Sequence, residues 1–285
     1  MEPDSFPKTP EEQGNLGPPV ISCHSAIFSI ASNQLMLLLA ERSEGPFRFQ
    51  WELPGTTPAP TEELSASAIR AATPPLAPLA IDDLQQLGVY SEPTRDPRHR
   101  SIAIVYWGVT HHSNIDTASS GLQLIPISEW QAADFRFAFD HLQIAIDALE
   151  ALRQSLNSTS LATRLCASAF TISELQRVYE VIFGIEIAAG NFHRKVQSTP
   201  GFITAALDQG QKPTGRGRPA QRFNSPALVR VASPFQFQPE PKAQQCERFL
   251  QPLDRTIPPS SGTGRPAQLF SAGTANEIQP PFKRR

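Results

Sequence analysis

The pattern of apolar and polar positions divides the chain into two unlike stretches. Residues 20–30 and 34–40 are apolar, β-branched runs around Ser32-Asn33, a dipeptide suited to a tight turn, and they predict a β-hairpin. Trp51-Glu-Leu-Pro-Gly55 breaks that pattern. Residues 62–72 (EELSASAIRAA) carry Leu64, Ala68 and Ala71 at helical spacing and predict a helix. Pro74 and Pro75 stop it, because proline lacks the amide donor and disfavours a helical residue before it. Residues 101–109 (SIAIVYWGV) predict a strand, and 122–127 a further one. Residues 140–156 predict an amphipathic helix with Leu142, Ile146, Leu149, Leu152 and Leu156 on one stripe. That helix closes a first domain over residues 20–156.

After a polar break at 157–160 the periodicity becomes purely helical. Thr171-Ile-Ser-Glu174 has the form of a capping box, in which side chain and backbone satisfy each other reciprocally. The helix it opens turns Ile172, Leu175, Val178, Tyr179 and Ile182 toward a core, and Gly184 ends it. A short turn (IEIAA) leads to Gly190-Asn-Phe-His-Arg-Lys-Val196. On a wheel of about 100° per residue, Phe192 and Val196 face one way while Asn191, Arg194 and Lys195 face another. A helix anchored on one side and polar on the other is what the major groove requires. Residues 201–223 hold Gly210, Gly215 and Gly217 among Lys212, Arg216, Arg218 and Arg222, which suits a two-stranded wing with a basic tip. The residues assigned to DNA contact are Thr171, Asn191, Arg194, Lys195, Lys212, Arg216, Arg218 and Arg222. Together these elements define a second domain over residues 157–223.

Charge follows the same division. The chain's net charge of −2 conceals 8 basic against 19 acidic residues in 1–150, 9 against 4 in 151–223, and 8 against 4 in 224–285. A basic C-terminal part beside an acidic N-terminal one favours nucleic acid as partner of the former, and the groove-fitting helix makes that double-stranded DNA. The 28 prolines crowd residues 1–19 and 224–285. Both ends read as disordered arms that bury too little apolar surface to offset chain ordering. Cys23, Cys166 and Cys246 lie far apart, in neither disulfide nor zinc spacing. Reduced thiols, no signal peptide and no membrane-spanning stretch point to the cytoplasm.

Candidate chemistry centres on residues 51–78, which resemble the Nudix box. Leu53-Pro54-Gly55 leads in, Glu62 falls on the box's first glutamate and Arg70 on its arginine. The resemblance then fails where the chemistry should be. Ala71, Pro74 and Pro75 stand where glutamates would hold Mg²⁺ on one helix face, so the expectation is no hydrolysis, no Mg²⁺ and no other cofactor. Two further motifs, Thr94-Arg-Asp-Pro-Arg-His-Arg100 and Phe137-Ala-Phe-Asp-His141, resemble those of Nudix-related transcriptional regulators, the NrtR family. So does the order FTISELQRVYEVIFG, NFHRKV, GRGRPAQRF in the second domain. The resemblance implies a Nudix-type α/β/α sandwich followed by a winged helix-turn-helix domain. It also implies a homodimeric repressor of palindromic operators that releases DNA on binding an ADP-ribose-like ligand, usually in control of NAD metabolism.

Arg70, Arg95, Arg98 and Arg100 are the candidate ligand-binding residues, since guanidinium groups match phosphate oxygens in pairs. His141 reads as a capping or packing residue before a catalytic base. Two rival functions stand beside the regulator. One is a Nudix-type, ADP-ribose-pyrophosphatase-like hydrolase with an accessory winged-helix domain; the other is an interaction scaffold with Pro-rich arms. Finally, Gly217-Arg-Pro-Ala-Gln-Arg-Phe223 recurs as Gly264-Arg-Pro-Ala-Gln-Leu-Phe270. The preferred reading is a duplicate without essential role. The alternative is a second minor-groove contact, because Arg216-Gly-Arg-Pro219 resembles an A·T-hook core.

Overall fold

The computed structural model describes residues 18–72, 84–115, 117, 121–132, 134–205 and 221–224, and the backbone of Leu250–Ile257 and Ala267–Ala272. Strands β1 (Val20–Ala31) and β2 (Gln34–Glu41) form the expected hairpin, with Phe28 opposite Leu37. Ser32 and Asn33 both take positive φ, 48° and 63°, the geometry whose twist matches that of the flanking strands. β3 (Trp51–Glu52) pairs with β2, and β4 (Gly55–Thr56) pairs with β1. β5 (Gln85–Tyr90) runs antiparallel to β6 (Ser101–Val109), β6 runs parallel to β1, and β7 (Leu122–Pro126) pairs with β2. The main path is therefore β3-β2-β1-β6-β5 in a mixed sheet.

Alternation along these strands decides what covers each face. Ile27 and Leu38 cluster with Ala72 of α1 (Leu64–Ala72), whereas Ala26, Phe28, Leu37 and Leu39 cluster with α2 (His141–Leu156) on the opposite face. The buried stripe of α2 differs from the expected one. It comprises His141, Ile144, Ala145, Ala148, Leu149, Leu152 and Leu156, while Leu142 is 42% exposed and Ile146 half-buried. Ala145 and Ala148 are small enough to let the helix lie close to the sheet, so the seam follows the alanines as well as the leucines.

A 3₁₀ turn at Leu161–Leu165 leads into β8 (Ala169–Phe170), α3 (Ile172–Phe183), α4 (Ala189–Ser198), β9 (Thr204–Ala205) and β10 (Phe223–Asn224). The capping box on Thr171 and Glu174 is formed, and Gly184 ends α3 at φ 67°. All five core positions expected on α3 are buried. The wing sheet has three strands in the order β8-β10-β9, one more than expected, because Ala169–Phe170 lends an edge to Phe223–Asn224. Leu152 and Leu156 of α2 join Leu161, Phe170, Tyr179, Phe192 and Phe223 in one apolar cluster, so the two halves share a core. Tyr179 donates its hydroxyl to the Leu156 carbonyl at 3.3 Å, and Arg153 donates to the Ile182 carbonyl at 3.2 Å.

Within the C-terminal arm expected to lack regular structure, β11 (Leu250–Ile257) and β12 (Ala267–Ala272) pair antiparallel. The second copy of the repeated peptide thus ends in a strand, as the first does at Phe223. Pro74, Pro75, Lys212, Arg216, Arg218 and the arm before residue 18 lie outside the described residues. Among the described residues, no helix is long and apolar enough to cross a membrane.

Candidate sensor pocket and nucleic-acid interface

The degenerate box keeps its frame. Glu62 accepts from Arg70 Nε at 2.8 Å and from Arg70 Nη2 at 2.7 Å, and also from the Ser67 hydroxyl at 2.7 Å and the Ala59 amide at 3.0 Å. Arg70 reaches further, to Thr56 Oγ1 and to the Thr57 carbonyl, each at 3.1 Å. These bonds, led by that from Arg70, hold the Glu62 carboxyl well below the usual carboxylate range. The two residues that match the box's first glutamate and its arginine are therefore spent on each other, tying the loop to α1. The donor set does not fit Mg²⁺. Glu62 already accepts four bonds, Ala71 offers no oxygen, and among the described residues no group of three His, Cys, Asp or Glu side chains is placed to hold a metal.

The other two motifs meet in space. Arg95, buried, forms a bidentate pair with Asp140, Nε to Oδ2 at 2.9 Å and Nη2 to Oδ1 at 2.7 Å, and donates a further bond to Ser101 Oγ at 3.2 Å. The Arg-Asp-Pro-Arg turn thereby pins the start of α2. Arg98 pairs with Asp96 in the same two-pronged way, at 3.0 and 2.8 Å, and its guanidinium lies 5.7 Å from the Phe139 ring centre. Arg42 covers the same ring at 4.8 Å and pairs with Glu52. Arg100 donates to the Ser91 carbonyl at 2.7 Å. Arg70, Arg95, Arg98 and Arg100 thus do not converge as a bare phosphate clamp. Each is engaged, three of them by a carboxylate, and only Arg70 and Arg98 are also exposed.

His141 is buried, and its Nδ1 accepts from the Leu53 amide at 3.0 Å. Burial drives its pKa well below the ordinary range, so it is a neutral packing residue. His24 lies edge-on to it at 4.9 Å, with its pKa pushed down to about 4 by burial and by Arg95. Gly55 explains why the motif needs glycine. A Cβ there would fall 2.2 Å from His24 Nδ1. Sequence reasoning missed His24 and Arg42, which no motif marked, and gave no role to Phe139 within the Phe137–His141 motif.

In the second domain, α4 buries Phe192 and Val196 and exposes Asn191, Arg194 and Lys195. Arg194 donates to Asn191 Oδ1 at 2.5 Å, so its charge rests on a neutral amide. Thr171 is committed to the capping box: its hydroxyl accepts from the Glu174 amide at 3.2 Å, and its amide donates to the Glu174 carboxylate at 2.6 Å. A carboxylate already occupies that helix start, which disfavours a phosphate there. Arg222 is exposed beside buried Phe223.

A mixed-sheet sandwich carrying a box-like loop and helix, fused through a shared core to a winged helix with a polar outward α4, defines a DNA-binding regulator with a sensor domain. The family described as the NrtR DNA-binding winged helix domain matches residues 162–224. The chain is 31% identical over 213 residues to the ADPR responsive transcriptional repressor NtrR of Acinetobacter baylyi, covering 72% of this chain and 81% of that one. It superposes on Shewanella oneidensis NrtR with TM-score 0.62 at 26% identity, over 74% of this chain and 99% of the other. Against the same protein in complex with a 27mer DNA the TM-score is 0.59, over 74% and 98%. A MutT/nudix family protein of Enterococcus faecalis, 18% identical with TM-score 0.59 over 78% and 89%, shares the fold. The chain belongs to the NrtR family, and is a ligand-responsive DNA-binding transcriptional regulator.

Proposed function

We propose that this protein is a transcriptional repressor that binds operator DNA as a homodimer in the cytoplasm and leaves it on binding ADP-ribose or a close relative. The observation that carries this reading is the orientation of α4, with Phe192 and Val196 locked in the core and Asn191, Arg194 and Lys195 outward. Arg or Lys in that position reads guanine, and neighbouring wing residues neutralise phosphate. The effector assignment is supported by the relative's ADPR responsiveness and by the retained box frame.

The sensor is not a hydrolase in this reading. Hydrolysis of a pyrophosphate needs a metal or its equivalent at the developing charge, and the box lacks the carboxylates to supply it. Binding needs less, namely the loop geometry that Glu62, Arg70 and Gly55 preserve. α2 gives a route from one event to the other. Its first turn is held by Arg95 and by the Leu53 amide, and its last turns pack under α3.

Selection from a random duplex DNA pool tests this reading directly. We expect enrichment of a palindrome with half-sites about one helical turn apart. ADP-ribose without Mg²⁺ should release the enriched fragment, and no hydrolysis should accompany release. A pool that stays unenriched sinks the reading, and turnover of ADP-ribose on Mg²⁺ addition reinstates the enzyme.

A further inference from the structure

The sensor domain also touches the DNA-binding domain through its hairpin, apart from the contacts made by α2. At the tip of the β1–β2 hairpin, Asn33 accepts through Oδ1 from Arg177 Nε on α3. Arg177 Nη1 donates to Glu180 Oε2 at 3.2 Å, one turn along the helix. Glu180 Oε1 in turn accepts from the Ile187 amide at 3.1 Å and from Gln176 Nε2 at 2.9 Å. Gln176 closes the ring by donating to the Ile187 carbonyl at 2.9 Å. Ile187 lies in the turn that sets the direction of α4, two residues before that helix begins.

We infer that Asn33, Arg177 and Glu180 form a strap through which the sensor hairpin positions the recognition helix. The inference rests on the function proposed above and adds the residues that transmit it. Three features support it. The contact spans 144 residues of sequence, so it is the fold that brings the ends together. Both polar groups of Ile187 are held by α3 side chains, so the α3–α4 turn takes its geometry from Glu180 and Gln176. Beside the strap lies an open cleft of about 380 Å³, lined by Gln34, Leu35, Ile127, Val181 and Ile185, which leaves room for hairpin and helix to shift. A continuous chain of hydrogen bonds between two packed elements is a physical means of coupling two sites.

Asn33→Gly is the clean probe, because φ 63° suits glycine and the turn is kept while the acceptor is lost. Arg177→Met is the second, since it keeps the apolar stem. Hydrogen–deuterium exchange of the full-length protein reads the strap without any ligand. Both variants should speed exchange at residues 185–189 about threefold or more, although Asn33 lies in the other domain. The second readout uses the DNA fragment that the unaltered protein selects, with ADP-ribose as effector. Asn33→Gly should cut the ADP-ribose-induced loss of DNA affinity about fivefold and leave ADP-ribose affinity within about twofold.

Unchanged exchange at 185–189, or a full ADP-ribose effect in Asn33→Gly, overturns the strap. If exchange rises in the variants but the unaltered protein ignores ADP-ribose, the effector assignment fails and the strap stands. If the unaltered protein responds and exchange does not move, the strap fails and the assignment stands.

Discussion

Three arginines of the sensor, Arg70, Arg95 and Arg98, and Arg194 on α4 are used in opposite ways. In the sensor, Arg70, Arg95 and Arg98 each face a carboxylate with two donors, at distances of 2.7–3.0 Å. On α4, Arg194 leans on the amide of Asn191, and no ion pair is seen for it among the described residues. The same side chain is a structural staple at those three sites and stands outward on α4, where the proposed function makes it a reader. What separates the two uses is the partner, and the partner comes from the fold. The acidic part of the chain, with 19 acidic residues among residues 1–150, supplies a carboxylate to Arg70, Arg95 and Arg98, whereas the fold offers Arg194 an amide.

The strongest way to break this contrast is to reverse the charges on α4. Arg194→Glu together with Lys195→Glu should lower operator affinity about a thousandfold or more, since each replaces an attraction to DNA with a repulsion. The melting temperature should stay within a degree or two, because both side chains are exposed. Gel-shift titration and thermal melting on the same preparation check both halves. Retained operator binding would falsify the assignment of α4 as the recognition helix.

The mirror experiment acts on Arg95. Its side chain is 4% exposed, and Arg95→Met strands the Asp140 carboxylate at the start of α2. Removing one partner of a buried ion pair costs about 3–5 kcal/mol. Asp140 is 25% exposed, so water relieves part of that, and about 3 kcal/mol is the expected loss by chemical denaturation. Arg95→Lys should recover little, since an ammonium cannot supply the paired bonds. If Arg95→Met melts like the unaltered protein and instead loses ADP-ribose affinity, Arg95 belongs to the pocket and the contrast fails.

Much of the DNA-binding half was legible in sequence, because its signals are local. The Thr171–Glu174 box spans three residues, and the α3 core repeats at helical spacing. The hairpin turn at Ser32-Asn33 was legible for the same reason. The sensor was less so. β5 escaped notice because its register shifts between Gln86 and Gly88, which spoils alternation. On α2, Leu149, Leu152 and Leu156 were placed correctly but Leu142 and Ile146 were not, because alanines carry the rest of the seam. The arginine motifs were visible, but their partners were not. Asp140 is 45 residues from Arg95, and Asn33 is 144 from Arg177. Only the folded chain shows that the clustered arginines are mostly satisfied.

The two buried histidines sharpen the picture of a sensor packed by charge. His24, with its pKa pushed down to about 4, and His141, also lowered, are neutral when folded and protonate readily once unfolded. Between pH 6.5 and about 4 the unfolded chain therefore binds more protons, and stability falls as pH falls through that window. His24→Asn should flatten the decline in melting temperature over that range. An identical slope in the variant would mean that other groups drive it.

The smallest effect tests the box itself. Glu62→Gln removes the charge that faces Arg70 but keeps an oxygen for the Ala59 amide and the Ser67 hydroxyl. Because Arg70 is about half exposed, water screens the pair, and the effect on stability should be small. The informative comparison is with Mg²⁺. A box that has kept its frame and lost its ligands should show the same ADP-ribose affinity with and without Mg²⁺, in the unaltered protein and in Glu62→Gln alike. If Mg²⁺ instead raised the melting temperature of the unaltered protein and not that of Glu62→Gln, Glu62 would be a metal ligand that Arg70 merely shields. The sensor would then retain the beginnings of a catalytic site, and its arginines would differ from those of α4 in accessibility only.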